Sequence, residues 1–298
     1  MADDTVAGAA NQRFRRTVDS HQADTRTPLA NDGNPSLGKT VSIHHLTRRA
    51  FLALAGQGVL MSVAASVVRA TAVAPVFHGP RDERVIALTI DDGWSPGRTR
   101  AIFDIFERMG VAATFFPYAQ AAERDPGLWR AIADAGYPIG NHTRSHPFMT
   151  TLGPDARAAE LTEARSMIET MIGRPMLPVF RPPYGAFDPA LVALAAKTGF
   201  PTVLLWDTSD ADTSRQATPE QLIAAALRGR AGSVLLAHGG PALTPVILPA
   251  VIARYRDLGF RFVTVPDLLR LPGPPAPIPV PSPLRVSRST SAGRRSPR

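Results

Sequence analysis

Between residues 81 and 271, short apolar runs alternate with longer stretches whose apolar positions recur at helical spacing. The runs predict strands over 85–90, 113–117, 137–140, 179–181, 202–206, 233–237 and 261–265. The periodic stretches predict helices over 96–109, 126–135, 154–172, 189–198, 219–228 and 244–258. Asp125-Pro126, Asp188-Pro189 and Thr218-Pro219 each put a capping side chain before a proline suited to the first helical turn, and Gly110, Gly136, Gly173 and Gly199 follow last turns. Such alternation predicts repeated βα units with parallel strands, and strands this uniformly apolar are covered on both faces. A closed barrel is favoured over an open sheet, although the pattern fits both.

Outside this region the pattern fails. Residues 1–46 lack periodicity and are expected to be a disordered extension. Over 47–72, Thr47-Arg48-Arg49-Ala50-Phe51-Leu52 leads into a modestly apolar run ending near Ala70-Thr71-Ala72. Paired arginines, a weakly hydrophobic run and a small-x-small site together predict a twin-arginine export signal; a membrane-anchoring helix is the alternative. A start at Val41 would give that signal a short leader, which N-terminal sequencing of the precursor would reject by finding Met1. Residues 73–80 are expected to be linker and 81–270 a single domain. The proline-rich, basic stretch 271–298 is expected to be an extended, disordered tail.

Composition narrows the function. The formal net charge of +8 would ordinarily suggest an anionic partner, but residues 81–270 carry 20 basic and 20 acidic residues. No nucleic acid is therefore expected as a partner, and membrane contact is expected only through the signal segment or the basic tail. The absence of cysteine excludes disulfides, thiolate metal ligands and a thiol nucleophile. Any metal must be held by histidines and carboxylates.

Candidate chemistry gathers just past the predicted strands, where α/β proteins bind ligands. The first run stops at Asp91-Asp92-Gly93. Side chains alternate across a strand, so the two carboxylates suit two different jobs, with Gly93 permitting the bend. After the third run comes His142-Thr143-Arg144-Ser145-His146, where histidines four apart can face one ion from a helical turn. Arg181-Pro182-Pro183-Tyr184-Gly185 follows the fourth run, Trp206-Asp207-Thr208-Ser209-Asp210-Ala211-Asp212 the fifth, and Leu236-Ala237-His238 ends the sixth. Taken singly, each has a bland reading as a cap, a rigid turn, a solvated acidic loop or a core histidine.

Five such loops in this order resemble the polysaccharide deacetylase family, the NodB-homology carbohydrate esterases of family 4. The resemblance covers about residues 81–270 and implies a distorted (β/α)7-8 barrel. It implies that Asp92, His142 and His146 bind a divalent metal, zinc before cobalt or manganese, and that Asp91 is the general base, held by Arg181. It further implies that His238, paired with Asp212, is the general acid, and that the Tyr184 backbone N–H faces the oxyanion. Leu236 and Trp206 join Tyr184 on the substrate side. Such a metal would acidify water and polarise an acyl oxygen, while amide cleavage needs both a base and a distinct acid.

Four positions depart from the family pattern. Ile90 and Trp94 stand where Phe and Pro are common, Ser209 occupies a position often acidic, and Thr213 replaces a frequent Trp. Asp210 and Asp207 are therefore fallback partners for His238. The expected function is an exported, monomeric, metal-dependent deacetylase of an N-acetylated, or secondarily O-acetylated, glycan such as peptidoglycan or a chitin-like oligosaccharide. The alternatives are a relative cleaving a cyclic imide or another non-sugar amide, and a glycan-binding homologue with weak or no turnover.

Overall fold

The computed structural model describes residues 74–214 and 216–271, which lie in one compact unit, Val67–Arg298. The expected extension 1–46, the signal segment 47–72 and the tail after residue 271 fall outside the described residues. No described helix is long and apolar enough to cross a membrane.

In chain order the elements are β1 (Val85–Asp92), α1 (Pro96–Met109), β2 (Thr114–Pro117), α2 (Ala119–Ala122), α3 (Pro126–Asp134), α4 (Pro154–Ile172), β3 (Val179–Phe180), α5 (Pro189–Lys197), β4 (Thr202–Val203), β5 (Thr208–Ser209), α6 (Pro219–Ala226), β6 (Ser233–His238), α7 (Thr244–Asp257), β7 (Arg261–Val263) and α8 (Val265–Leu269). All the strand pairs are parallel. β1 is the hub, with β6 along one edge and the other edge shared by β7 near its start and β2 near its end. β5 flanks β6, and β3 pairs with β4 apart from this sheet. Single bridges carry the ring onward: Phe115 to Ile139, Asn141 to Phe180, and Val76 to Leu204. The result is a distorted α/β barrel, stitched in places by one residue rather than a ladder.

Alternation along β1 explains both layers. Ile86, Leu88 and Ile90 face the helices, while Val85 and Ala87 join Phe116, Val179, Leu204, Val234, Val265 and Leu268 in a second, interior cluster. Thr89 and Asp91 continue the interior face by parity. The barrel is therefore apolar at its floor and polar at the mouth, where the strands end.

Several expectations change; among them, the strand predicted over 202–206 stops at Val203, and Thr208–Ser209 forms a strand that the pattern did not predict. The strand predicted over 137–140 reduces to a bridge at Ile139, because Pro138 has no N–H to donate. The strand predicted over 261–265 stops at Val263, since the Thr264 side chain accepts from Asp267 N–H and caps α8. Residues 73–80, expected to be linker, are in part barrel. Val76 N–H donates to the Val203 carbonyl (2.8 Å), Leu205 N–H to the Val76 carbonyl (2.7 Å) and Gly79 N–H to the Gly232 carbonyl (2.8 Å). This segment spans from β4 to β6 and closes the ring.

Candidate active site

Asp91 and Asp92 end the fully buried β1. Asp92 adopts φ 69° and Gly93 φ 76°, a left-handed pair that turns the chain so that consecutive carboxylates approach one imidazole. His142 Nε2 lies 3.9 Å from Asp91 Oδ2 and 3.4 Å from Asp92 Oδ1. Asp91 is held from the other side by Arg181, whose Nη1 donates to Oδ1 at 2.6 Å. Arg181 is wholly buried, and it also donates to Thr89 Oγ1 at 2.8 Å and to the Leu204 and Leu205 carbonyls. Its guanidinium lies 4.4 Å from the Phe116 ring centroid. Burial pulls its pKa down, and the Asp91 carboxylate works against that pull.

The two histidines do not share the expected helical turn. They sit on a loop in which Thr143 (φ 73°) and His146 (φ 62°) are both left-handed. Side-chain bonds hold it there. Asn141 donates to the Leu161 carbonyl (2.9 Å) and accepts from Thr143 N–H (2.8 Å), and Thr143 Oγ1 accepts from His146 N–H (3.0 Å). From α4, the Glu160 carboxylate accepts from the N–H groups of Arg144 and Ser145 (2.9 Å each) and from Ser145 Oγ (2.7 Å). His142 Nδ1 is 2.7 Å from the Arg181 carbonyl. A carbonyl only accepts, so Nδ1 carries a proton and the ring is oriented with Nε2 toward the carboxylates.

His146 Nε2 lies 3.1 Å from Asp92 Oδ1. That oxygen is buried without a hydrogen-bond partner among the described residues. Burial would raise the Asp92 pKa, but the two imidazoles outweigh it and hold the carboxyl well below its usual range. One ligand atom each from Asp92, His142 and His146 lies within 4.8 Å of the others. Two imidazole nitrogens and one carboxylate whose buried Oδ1 is orphaned are a donor set that fits a divalent cation.

Arg181 opens the proline turn, where Tyr184 takes φ 60° and ψ 8°. The turn's own bonds use the N–H groups of Gly185 and Ala186. The Tyr184 ring meets His146 edge-on at 4.7 Å and stacks on Phe148 at 3.9 Å. Trp206 packs with the interior cluster, 5.8 Å from the Arg181 guanidinium, and approaches Gly185 so closely that a Cβ there would fall 2.9 Å from its ring.

On β6, Leu236 and His238 share the interior parity, and the register sets His238 opposite Asp91. Of the three acids proposed as its partner, Asp212 takes the position. Its Oδ1 lies 2.6 Å from His238 Nδ1, and its Oδ2 accepts from His238 N–H (2.8 Å) and Thr244 Oγ1 (2.6 Å). Asp210 instead accepts from Asp212 N–H, while Asp207 accepts from Arg81, Ser233 and Val234 at the start of β6. Burial alone would lower the His238 pKa; the bond to Asp212 and its charge override this and push it up to about 9.

Several contributors were not legible in the sequence. Glu160 and Thr244 lie on helices and Phe148 beyond the histidine loop, with no local signal to separate them from ordinary surface or capping residues. Thr89 lay inside the first run, where only its parity with Asp91 pointed to the interior.

The family of polysaccharide deacetylases matches residues 78–203. Over 195 residues the chain is 29% identical to a peptidoglycan-N-acetylglucosamine deacetylase of Bacillus cereus, covering 64% of this chain and 91% of that one. It is 30% identical to a chitooligosaccharide deacetylase of Rhizobium leguminosarum bv. trifolii, covering 66% and 88%. The structure of a carbohydrate esterase family 4 pseudoenzyme from Bacillus anthracis superposes with a TM-score of 0.62 at 26% identity, over 65% of this chain and 68% of that one.

Proposed function

Because the chain belongs to the polysaccharide deacetylase family, we propose that it is a metal-dependent hydrolase removing N-acetyl, and secondarily O-acetyl, groups from an extracellular glycan. Peptidoglycan or a chitin-like oligosaccharide is the substrate class, reached by export through the twin-arginine segment, and the working unit is a monomer. The observation that carries this reading is a donor set fit for a cation, with a held carboxylate on one side and a carboxylate-paired imidazole across the β1–β6 register.

Asp92, His142 and His146 would hold the ion, zinc before cobalt or manganese. When bound it would supply Lewis acidity toward the acyl oxygen and the attacking water. Arg181 occupies Asp91 Oδ1, which leaves Oδ2, the oxygen turned toward His142, to take the proton from that water. Asp212 fixes His238 Nδ1, which leaves the Nε2 proton for the departing amine. A pKa near 9 keeps His238 protonated at neutral pH, the form a general acid requires. Tyr184 N–H is the donor assigned to charge growing on the acyl oxygen. Leu236 and Trp206 are assigned to the apolar wall beside the acyl group.

The test is acetate release from N-acetylated oligosaccharides by the zinc-loaded full chain. Release should stop with chelator and return with zinc, and Asp91→Asn should lower kcat by at least about 100-fold with zinc still bound. A chain that binds zinc and glycan without releasing acetate would instead be a binding homologue, as the pseudoenzyme relative suggests. Turnover confined to cyclic imides or other small amides would reject the glycan.

A further inference from the structure

Among the described residues five large hydrophobic side chains are exposed: Trp94, Phe148, Tyr184, Val246 and Leu258. The two aliphatic ones belong to α7 and its end. All three aromatic ones stand at the barrel mouth, one residue past Gly93, two past His146 and three past Arg181. Exposed aromatic surface costs free energy in water, and its confinement to the rim of one site marks a place where something apolar is covered in use.

Both outer rings are held in place rather than free. Gly240 passes so close beneath Trp94 that a Cβ there would fall 1.9 Å from its Cε2. Arg98 donates to the Gly240 carbonyl at 2.6 Å with its guanidinium 6.0 Å from the Trp94 ring, and Arg124 donates to the Trp94 carbonyl at 3.1 Å. Trp94 is thus pinned against backbone, is 39% exposed, and has guanidinium donors at its border. Phe148, also 39% exposed, lies nearly parallel to Tyr184 at 12°, and Tyr184 is itself braced on His146. Strand order separates the two. Trp94 follows β1 and lies against Gly240, which follows β6, whereas Phe148 follows the histidine loop and stacks on Tyr184, which follows β3.

We propose that Trp94 and Phe148 are sugar-stacking platforms on opposite sides of the reacting groups, so that the protein acts on an internal unit of a glycan at least about three sugars long. This rests on the deacetylase reading. A pyranose ring offers an apolar C–H face that settles on the electron-rich face of an aromatic ring, and hydroxyl edges that reach donors such as Arg98 and Arg124. Two platforms flanking one centre suit a linear chain and are wasted on a monosaccharide. Aromatic rings already fixed in place bind at a small entropic cost.

The experiment has a binding arm and a turnover arm. In the first, zinc-loaded Asp91→Asn chain is titrated calorimetrically with N-acetylated glucosamine oligomers of two to six units, alone and combined with Trp94→Ala or Phe148→Ala. Affinity should rise with length, and each alanine should weaken binding of the longest oligomer by about 3- to 10-fold. Tryptophan emission should shift on titration and lose part of that shift in Trp94→Phe, the remainder coming from the partly buried Trp206 beside the acyl group, since Trp129 is buried. In the second arm, the preference of the active chain for the longest oligomer over the dimer should fall by the same factor in each alanine variant, through KM rather than kcat. Affinity independent of length, or alanine variants that bind the long oligomer as tightly as the parent, would overturn the proposal. If no acetate is released from any oligomer, the deacetylase reading fails while the binding arm still decides the platforms.

Discussion

Asp210 is buried two residues before the carboxylate that holds His238, and its Oδ2 has no hydrogen-bond partner among the described residues. Burial, then the negative charge of Asp212, push its pKa from 3.8 up to about 8. An acid whose folded pKa is raised costs stability as pH climbs from its unfolded value to its folded one, because the unfolded chain releases the proton first. Asp210→Asn should therefore raise Tm by several degrees at pH 8 and change it little at pH 4, as thermal unfolding at the two values would report. An equal effect at both would mean that the carboxyl is not under this strain. His238 has the opposite sign. Its folded pKa near 9 exceeds 6.5, so its stabilising contribution is complete below 6.5 and lost as pH rises through 9. Asp212→Asn removes the larger part of the override, leaving burial opposed only by the charges of Asp91 and Asp92. The alkaline limb of kcat/KM should then move down by at least about 1 pH unit, measured from pH 5 to 10.

At the scale of elements, the strands deliver the functional groups and the loops aim them. Six non-glycine residues among those described have positive φ; Asp92, Thr143, His146, Tyr184 and Ala211 lie on the mouth loops and only Arg270 lies elsewhere. Each such residue costs about 1 kcal/mol or more, so the conformation persists only where other bonds over-determine it. For the histidine loop those bonds come largely from Glu160 on α4. Glu160→Ala should lower zinc affinity by about 10- to 100-fold, read by competition with a chromogenic chelator. A folded variant with unaltered affinity would show that Asn141 and Thr143 suffice. The spacing of His142 and His146 was visible in the chain, but spacing of four suits a helical turn as well as this loop. Deciding between them took a carboxylate fifteen residues downstream of Ser145.

For the whole molecule, closure is the fact with most leverage. Val76, His78 and Gly79 bridge the gap between β4 and β6, while Asp207 ties Arg81 to the start of β6. A chain beginning at Arg81 should lose about 2–4 kcal/mol relative to one beginning at Ala74, from three backbone hydrogen bonds at about 1 kcal/mol each and the exposed β6 edge. Urea unfolding of the two would measure it, and equal midpoints would mean that the ring holds without the seam. Hydrophobic periodicity determined six of the helices to within two residues at either end, the parallel βα order, and the positions of Asp91, Asp92, Arg181 and His238 at strand ends. Those are local properties, set by side-chain spacing and chain direction. Tertiary structure alone decided that Asp212 rather than Asp210 or Asp207 meets His238, that residues 76–79 belong to the barrel, and that Trp94 and Phe148 are exposed. Each of these depends on partners brought together from distant sequence, as Arg181 and Asp91 are across 90 positions, and no pattern along a single segment encodes which distant surface it will meet.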